Sequence, residues 1–121
     1  MFKRAILFLF LLSGLAFSAG AATFLAGTTS TVATGGTAVS AVTGPAVGCY
    51  IFNGSTATEQ NIATAEVLYV DPVTTATTTA GGSNVAMVPG QNWSCPGSVG
   101  PGRVISINAA TSGHKVTVVV W

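Results

Sequence analysis

Val47-Gly48-Cys49-Tyr50-Ile51-Phe52-Asn53-Gly54, residues 47–54, alternates as a half-buried strand does. Val47, Cys49 and Ile51 share one face, and Gly48, Tyr50 and Phe52 share the other. Asn53-Gly54 then reads as a strong turn signal. Working outward, the same grammar repeats: short β-prone runs cut by Gly, Pro and Asn. Residues 37–43 stop at Gly44-Pro45, and 66–70 close on Asp71-Pro72. Residues 74–79 run to Gly81-Gly82, 84–88 to Pro89-Gly90, and 92–95 to Pro96-Gly97. Residues 103–109 and 115–121 complete the set, the last being the most β-prone of all.

No stretch after residue 26 sustains helical periodicity, because Gly and Thr recur too often. Residues 58–66 are the best helical candidate and read as one turn or a structured loop. The predicted fold class is therefore all-β: a single small antiparallel β-sandwich or flattened barrel of about seven or eight short strands. An outer-membrane barrel does not fit. Val118, Val119 and Val120 are consecutive, and no set of ten-residue alternating strands can be drawn.

Ahead of these strands stands an export segment. Lys3 and Arg4 form a basic start, Ala5 to Leu12 an apolar run, and small residues gather from Ala16 to Ala22. Ala19-Gly20-Ala21 fits a cleavage pattern, with Ala16-Phe17-Ser18 as a second site. Residues 1–21 are read as a signal peptide or, if uncleaved, an anchor, since Phe2 to Ala26 is long enough to span a bilayer. Residues 22–36 are a flexible arm or a first strand, and 37–121 the sandwich. The expected location is exported: periplasmic, extracellular or surface-attached.

Cys49 and Cys95 are the only cysteines. In an oxidising compartment an even pair reads as a disulfide. Such a bridge pins an early strand to a late one, a crossing between the two sheets being one arrangement. No metal site is expected, because His114 is the only imidazole and neither thiol has a second one nearby.

Charge is scarce: 6% of the chain. With residues 1–21 removed, Arg103 and Lys115 face Glu59, Glu66 and Asp71. That leaves no basic footprint for nucleic acid and no field to steer a charged substrate. Catalysis lacks its parts as well. Gly97-Ser98-Val99-Gly100 breaks the nucleophile-elbow spacing, and Glu59 and Glu66 flank one loop. His114, in Ser112-Gly113-His114-Lys115, reads as a turn or surface histidine. The glycine pairs are turn glycines, with no following helix to hold a phosphate. No catalytic residue, no enzyme activity and no cofactor are expected. Asn53 and Asn92 each begin an N-glycosylation acceptor triplet.

Ile51-Phe52-Asn53, Leu68-Tyr69-Val70, Pro89-Gly90-Gln91-Asn92-Trp93 and the closing stretch from Ile105 to Trp121 share an order and spacing. Over residues 45–121 the chain resembles a small β module often encoded near phage and prophage structural genes. That resemblance implies an accessory virion part, such as a capsid decoration, fibre or tail-tip piece. The export segment lies outside its pattern.

The function expected from these features is that of a non-enzymatic structural or adhesive surface subunit, virion-associated if the resemblance holds. The alternative is a secreted pilin-like or other cell-surface β-sandwich, completed in the pilin case by strand donation from residues 23–34. Tyr50, Phe52, Tyr69 and Trp93 are the candidate contact residues, with core packing as the competing role of each. The expected partner is protein, through self-assembly or a virion or cell-surface scaffold, with glycan as a further option. Nucleic acid is not expected, and membrane only through an uncleaved N-terminal segment.

Overall fold

The structure, a computed structural model, describes residues 27–121. The signal or anchor segment, residues 1–21, lies outside them. Eight strands form two antiparallel sheets of four. β1 (Thr28–Val32), β8 (His114–Val120), β3 (Cys49–Phe52) and β6 (Asn92–Ser94) make the first sheet, in that spatial order. β2 (Val39–Thr43), β7 (Val104–Asn108), β4 (Leu68–Asp71) and β5 (Val85–Met87) make the second. One helical turn, α1 (Ala57–Gln60), interrupts them. The all-β sandwich expected from the turn-punctuated runs is what forms.

Only β4 and β5 are both consecutive in the chain and paired; every other connection passes from one sheet to the other. These arches explain why Asn53-Gly54 makes no hairpin. β3 ends there, but its partners are β6 and β8, and the chain leaves for the second sheet. Gly54 is required for a different reason. A Cβ at that position would stand 2.7 Å from the Glu59 Cβ, inside contact distance.

The core lies between the sheets. From the first come Val32, Cys49, Ile51, Val116 and Val118; from the second, Val42, Leu68, Val70, Met87, Ile105 and Ile107. In β3 the alternation is as read: Cys49 and Ile51 are buried, Tyr50 and Phe52 half-buried on the outer face. Val47 departs from it. The strand begins only at Cys49, because Ala46 bridges to Val99 and turns the chain, leaving Val47 76% exposed.

Cys49 and Cys95 are joined, with Cα atoms 5.1 Å apart. The bridge does not cross between the sheets. Cys95 follows β6, the neighbour of β3, and its amide donates to the Cys49 carbonyl at 2.9 Å. The disulfide thus fastens the short edge strand of the first sheet to its interior.

Residues 74–79 form no strand. β-Branched composition favours one, but local hydrogen bonding wins. The Asp71 carboxylate accepts from the Val73 and Thr74 amides at 2.8 and 2.6 Å and turns the chain at once. Ser106 and Asn108, on the outer face of β7, then take hold of the loop. The Ala76 amide donates to Ser106 Oγ, and Asn108 Nδ2 donates to the Ala76 carbonyl, at 2.7 and 3.0 Å. The loop from Pro72 to Asn84 lies across the outer face of the second sheet.

α1 is the single turn expected near residue 58. Its signature is a capping box: Thr56 Oγ1 accepts from the Glu59 amide, and the Glu59 carboxylate accepts from the Thr56 amide. Asn61 ends it in the left-handed region at φ 59. Beside β8, β1 occupies the sheet edge in unbroken register from Thr28↔Val118 to Val32↔His114. Residues 28–32, part of the arm that strand donation would use, pair here within the chain.

Candidate interaction surface

Each acidic side chain and the histidine are bound into the scaffold. His114 is not at the surface: it is fully buried at the start of β8. Its Nε2 lies 2.9 Å from Asn53 Oδ1 and its Nδ1 3.2 Å from Glu66 Oε1. The neighbours fix the protons. Asn53 Nδ2 donates to the Glu66 and Met87 carbonyls, so Asn53 Oδ1 is an acceptor. That oxygen already receives Gln60 Nε2 at 2.9 Å, so His114 Nε2 must carry a hydrogen. On the other side, Nδ1 faces the Glu66 carboxylate. Asn53, Gln60 and His114 are each fully buried, and this network closes one end of the sandwich.

Glu66 sits at its rim. Burial opposes the charge of its carboxyl, but the Thr111 amide and hydroxyl, both at 2.8 Å, and the His114 ring outweigh that cost. Its pKa lies below the ordinary value. Glu59 is lowered too, by the Ser55 hydroxyl and amide and the Thr56 amide. Asp71 is the most perturbed. Burial again opposes its charge, yet the Thr74 and Val73 amides and the Thr74 and Ser83 hydroxyls bring its pKa down to about 2. In all three, hydrogen bonds to the charged form dominate. Both oxygens of Glu66 and Asp71 and one of Glu59 are taken up by the loops they hold. Among the described residues no group of three or more His, Cys, Asp or Glu is placed to hold a metal ion.

The four aromatic candidates separate. Trp93 pairs with Ile51 on the inner side of the first sheet and packs against the core. Tyr69 is on the outer face of the second sheet, opposite Ala86 and Asn108. Tyr50 and Phe52 stay together, two residues apart on the outer face of the first sheet. There they gain a neighbour that sequence reasoning treated only as strand packing. Trp121 folds its indole onto Gly48, where a Cβ would meet the ring at 2.5 Å. Gly48, Tyr50 and Phe52 share one strand face, so Trp121, Tyr50 and Phe52 make a row with a step of about 7 Å.

Val119 and Thr117 flank this row on β8, and Ser94 and Asn92 flank it on β6. Among the described residues, no loop crosses this side as Pro72 to Asn84 crosses the other. Of the two glycosylation triplets, only that of Asn92 has its amide exposed; Asn53 is buried and fully hydrogen-bonded.

Arg103 is the cation that the charge inventory left without a role. It lines an open groove of about 550 Å3 with Ser40, Thr74, Thr75, Val104 and Ser106. The Ser106 and Thr74 hydroxyls there are already used, by the Thr74 carbonyl and by Asp71. Among the described residues, no helix is long and apolar enough to cross a membrane. Comparison of the chain with known proteins returns no matching family model, no matching curated protein and no matching solved structure.

Proposed function

We propose that this protein is a non-enzymatic structural or adhesive subunit of an exported surface, and that it works through the outer face of its first sheet. The observation that carries this reading is the division of labour among its side chains. The groups that would do chemistry (His114, Glu59, Glu66 and Asp71) are spent on closing loops. The groups suited to contact, the Trp121, Tyr50 and Phe52 row, lie on the side that no loop covers among the described residues. Tyr and Trp give large contact area at small entropic cost and are enriched at interfaces. A disulfide agrees with an oxidising setting. The resemblance to phage-encoded modules adds virion association as the finer form of this proposal, with a protein scaffold or repeated copies as partner.

The test is fractionation of the producing culture. The wild-type protein is expected in the particulate fraction, on cells or virions. Replacing both Tyr50 and Phe52 by Ser releases it as a folded species of unchanged circular dichroism. Equal retention of wild type and variant argues against this face. Turnover of a substrate that stops on replacing His114 or Asp71 by Asn, with the fold intact, argues against the whole reading.

A further inference from the structure

Four strands stand at the edges of the two sheets: β1 and β6 in the first, β2 and β5 in the second. An edge presents unpaired amides and carbonyls, and folds usually blunt it by shortness, proline, charge or a bulge. Three of these four are blunted. β5 and β6 have three residues each, and Pro96 stands two residues beyond the end of β6. β2 carries a register shift between Ser40 and Val42. β1 has none of these guards. Thr28-Thr29-Ser30-Thr31-Val32 contains no charge and no proline, and it keeps register with β8 along its whole length. Among the described residues, no strand pairs with its free side.

The backbone of β8 fixes which groups of β1 are free. Trp121 and Gly48 exchange both backbone hydrogen bonds, at 3.1 and 3.0 Å. Alternation along β8 then turns Val119 and Thr117 to β3, and Val118, Val116 and His114 to β1. Their partners Thr28, Ser30 and Val32 face back, and the Val32 carbonyl accepts from the Gly113 amide at 2.8 Å on that side. The amides and carbonyls of Thr29 and Thr31 therefore point outward from the sheet edge. Their side chains are exposed on the outer face, while Val32 is buried on the inner one.

We infer that the free edge of β1 docks a second copy of this chain, the two β1 strands pairing antiparallel about a two-fold axis at Ser30. The edge is complementary to itself. Thr29 and Thr31 stand symmetrically about Ser30, so Thr29 exchanges both backbone bonds with the partner's Thr31, and Thr31 does so with the partner's Thr29. Thr then faces Thr on the outer side, a favourable cross-strand pair. The nearest charge is Lys115, opposite Thr31 on β8. It comes no closer than about 16 Å to its counterpart, beyond the screening length of about 8 Å. The two first sheets become one of eight strands, with both Tyr50 and Phe52 rows on the same face, five strand spacings or about 24 Å apart. This deepens the surface reading and rests on it for its use: two contact rows on one sheet bind with the gain that repetition gives. An edge this short makes a small interface, so the pair forms as concentration rises.

The test is sedimentation equilibrium of the purified protein, disulfide intact, from about 1 μM to about 1 mM, the range in which small interfaces associate. The mass is expected to double across that range. Thr29→Lys with Thr31→Lys sets like charges opposite each other across the axis and should hold the protein monomeric. Thr29→Glu with Thr31→Glu should do the same, and mixing the two variants should restore the doubled mass. Thr31→Pro removes only an outward amide, so it too should be monomeric, with the circular dichroism of the wild type. A wild-type protein that stays monomeric throughout overturns the inference. So does a pair that survives the Lys substitutions or Thr31→Pro, or a mixture of the charged variants that stays monomeric. None of these failures touches the Tyr50 and Phe52 release experiment, which reads a different side of the sheet.

Discussion

Asn53 joins three separate stretches of the chain through one buried side chain. Its amide donates to the Glu66 and Met87 carbonyls and accepts from Gln60 and His114, all in a fully buried site. Replacing it by Ala removes four hydrogen bonds. Gln60 keeps the Gly54 and Glu66 carbonyls, but His114 Nε2 loses its acceptor, and an unpaired buried group is costly. Asn53→Ala is expected to lower unfolding stability by about 3 kcal/mol in urea titration, whereas Asn92→Ala, on an exposed edge, changes it by about 0.5 kcal/mol or less. The proton assignment is checked separately. Nitrogen-15 spectra should show His114 Nε2 protonated, and a ring protonated only at Nδ1 contradicts the network.

Acid sensitivity also belongs to single residues. The folded-state pKa of Asp71 is about 2, below its ordinary 3.8. A depressed carboxylate contributes stability that is complete above its unfolded pKa and disappears as pH falls through the folded one. The wild-type protein should therefore lose stability between about pH 4 and pH 2, with Glu59 and Glu66 acting in the same sense. Asp71→Asn should flatten that part of the unfolding curve. An identical acid limb in wild type and variant means that Asp71 is not held as described.

At the scale of elements, the strands were legible and their connections were not. Alternation at Cys49, Tyr50, Ile51 and Phe52 gave both faces of β3 correctly, because a strand with one side in the core must repeat every two residues. The run at 74–79 misled because Thr suits a strand, yet Asp71, Ser106 and Asn108 offered its backbone closer partners. None of those contacts is visible in a local window: Ser106 is 30 residues from Ala76. His114 misled for a similar reason, since the Gly113 turn before it is real but the ring folds inward to Asn53, 61 residues away. Of the candidate site, Tyr50 and Phe52 were readable from alternation, and Trp121 joined them only through the pairing of β8 with β3.

The loop itself can be tested through Ser106, whose hydroxyl donates to the Thr74 carbonyl and accepts from the Ala76 amide. Ser106→Ala should cost about 1–3 kcal/mol and speed hydrogen exchange at the Ala76 amide. Exchange elsewhere in β4 and β7 should stay nearly unchanged.

The described residues make a sandwich of arches fastened by one covalent link, with one sheet face roofed by a loop of theirs and the other left bare by them. The link spans 46 residues, and chain-entropy arithmetic gives it about 4 kcal/mol, a large share of the stability of so small a domain. Reduction should therefore lower the urea midpoint sharply without abolishing the β signature of the oxidised form. The bare face carries the functional claim, and hydroxyl-radical footprinting compares it directly in two states. With the protein in its native particulate setting and again after purification, Tyr50 and Phe52 should be protected in the first and modified in the second. Trp93 and Tyr69 should react alike in both. Equal modification of Tyr50 and Phe52 in the two states would contradict the account.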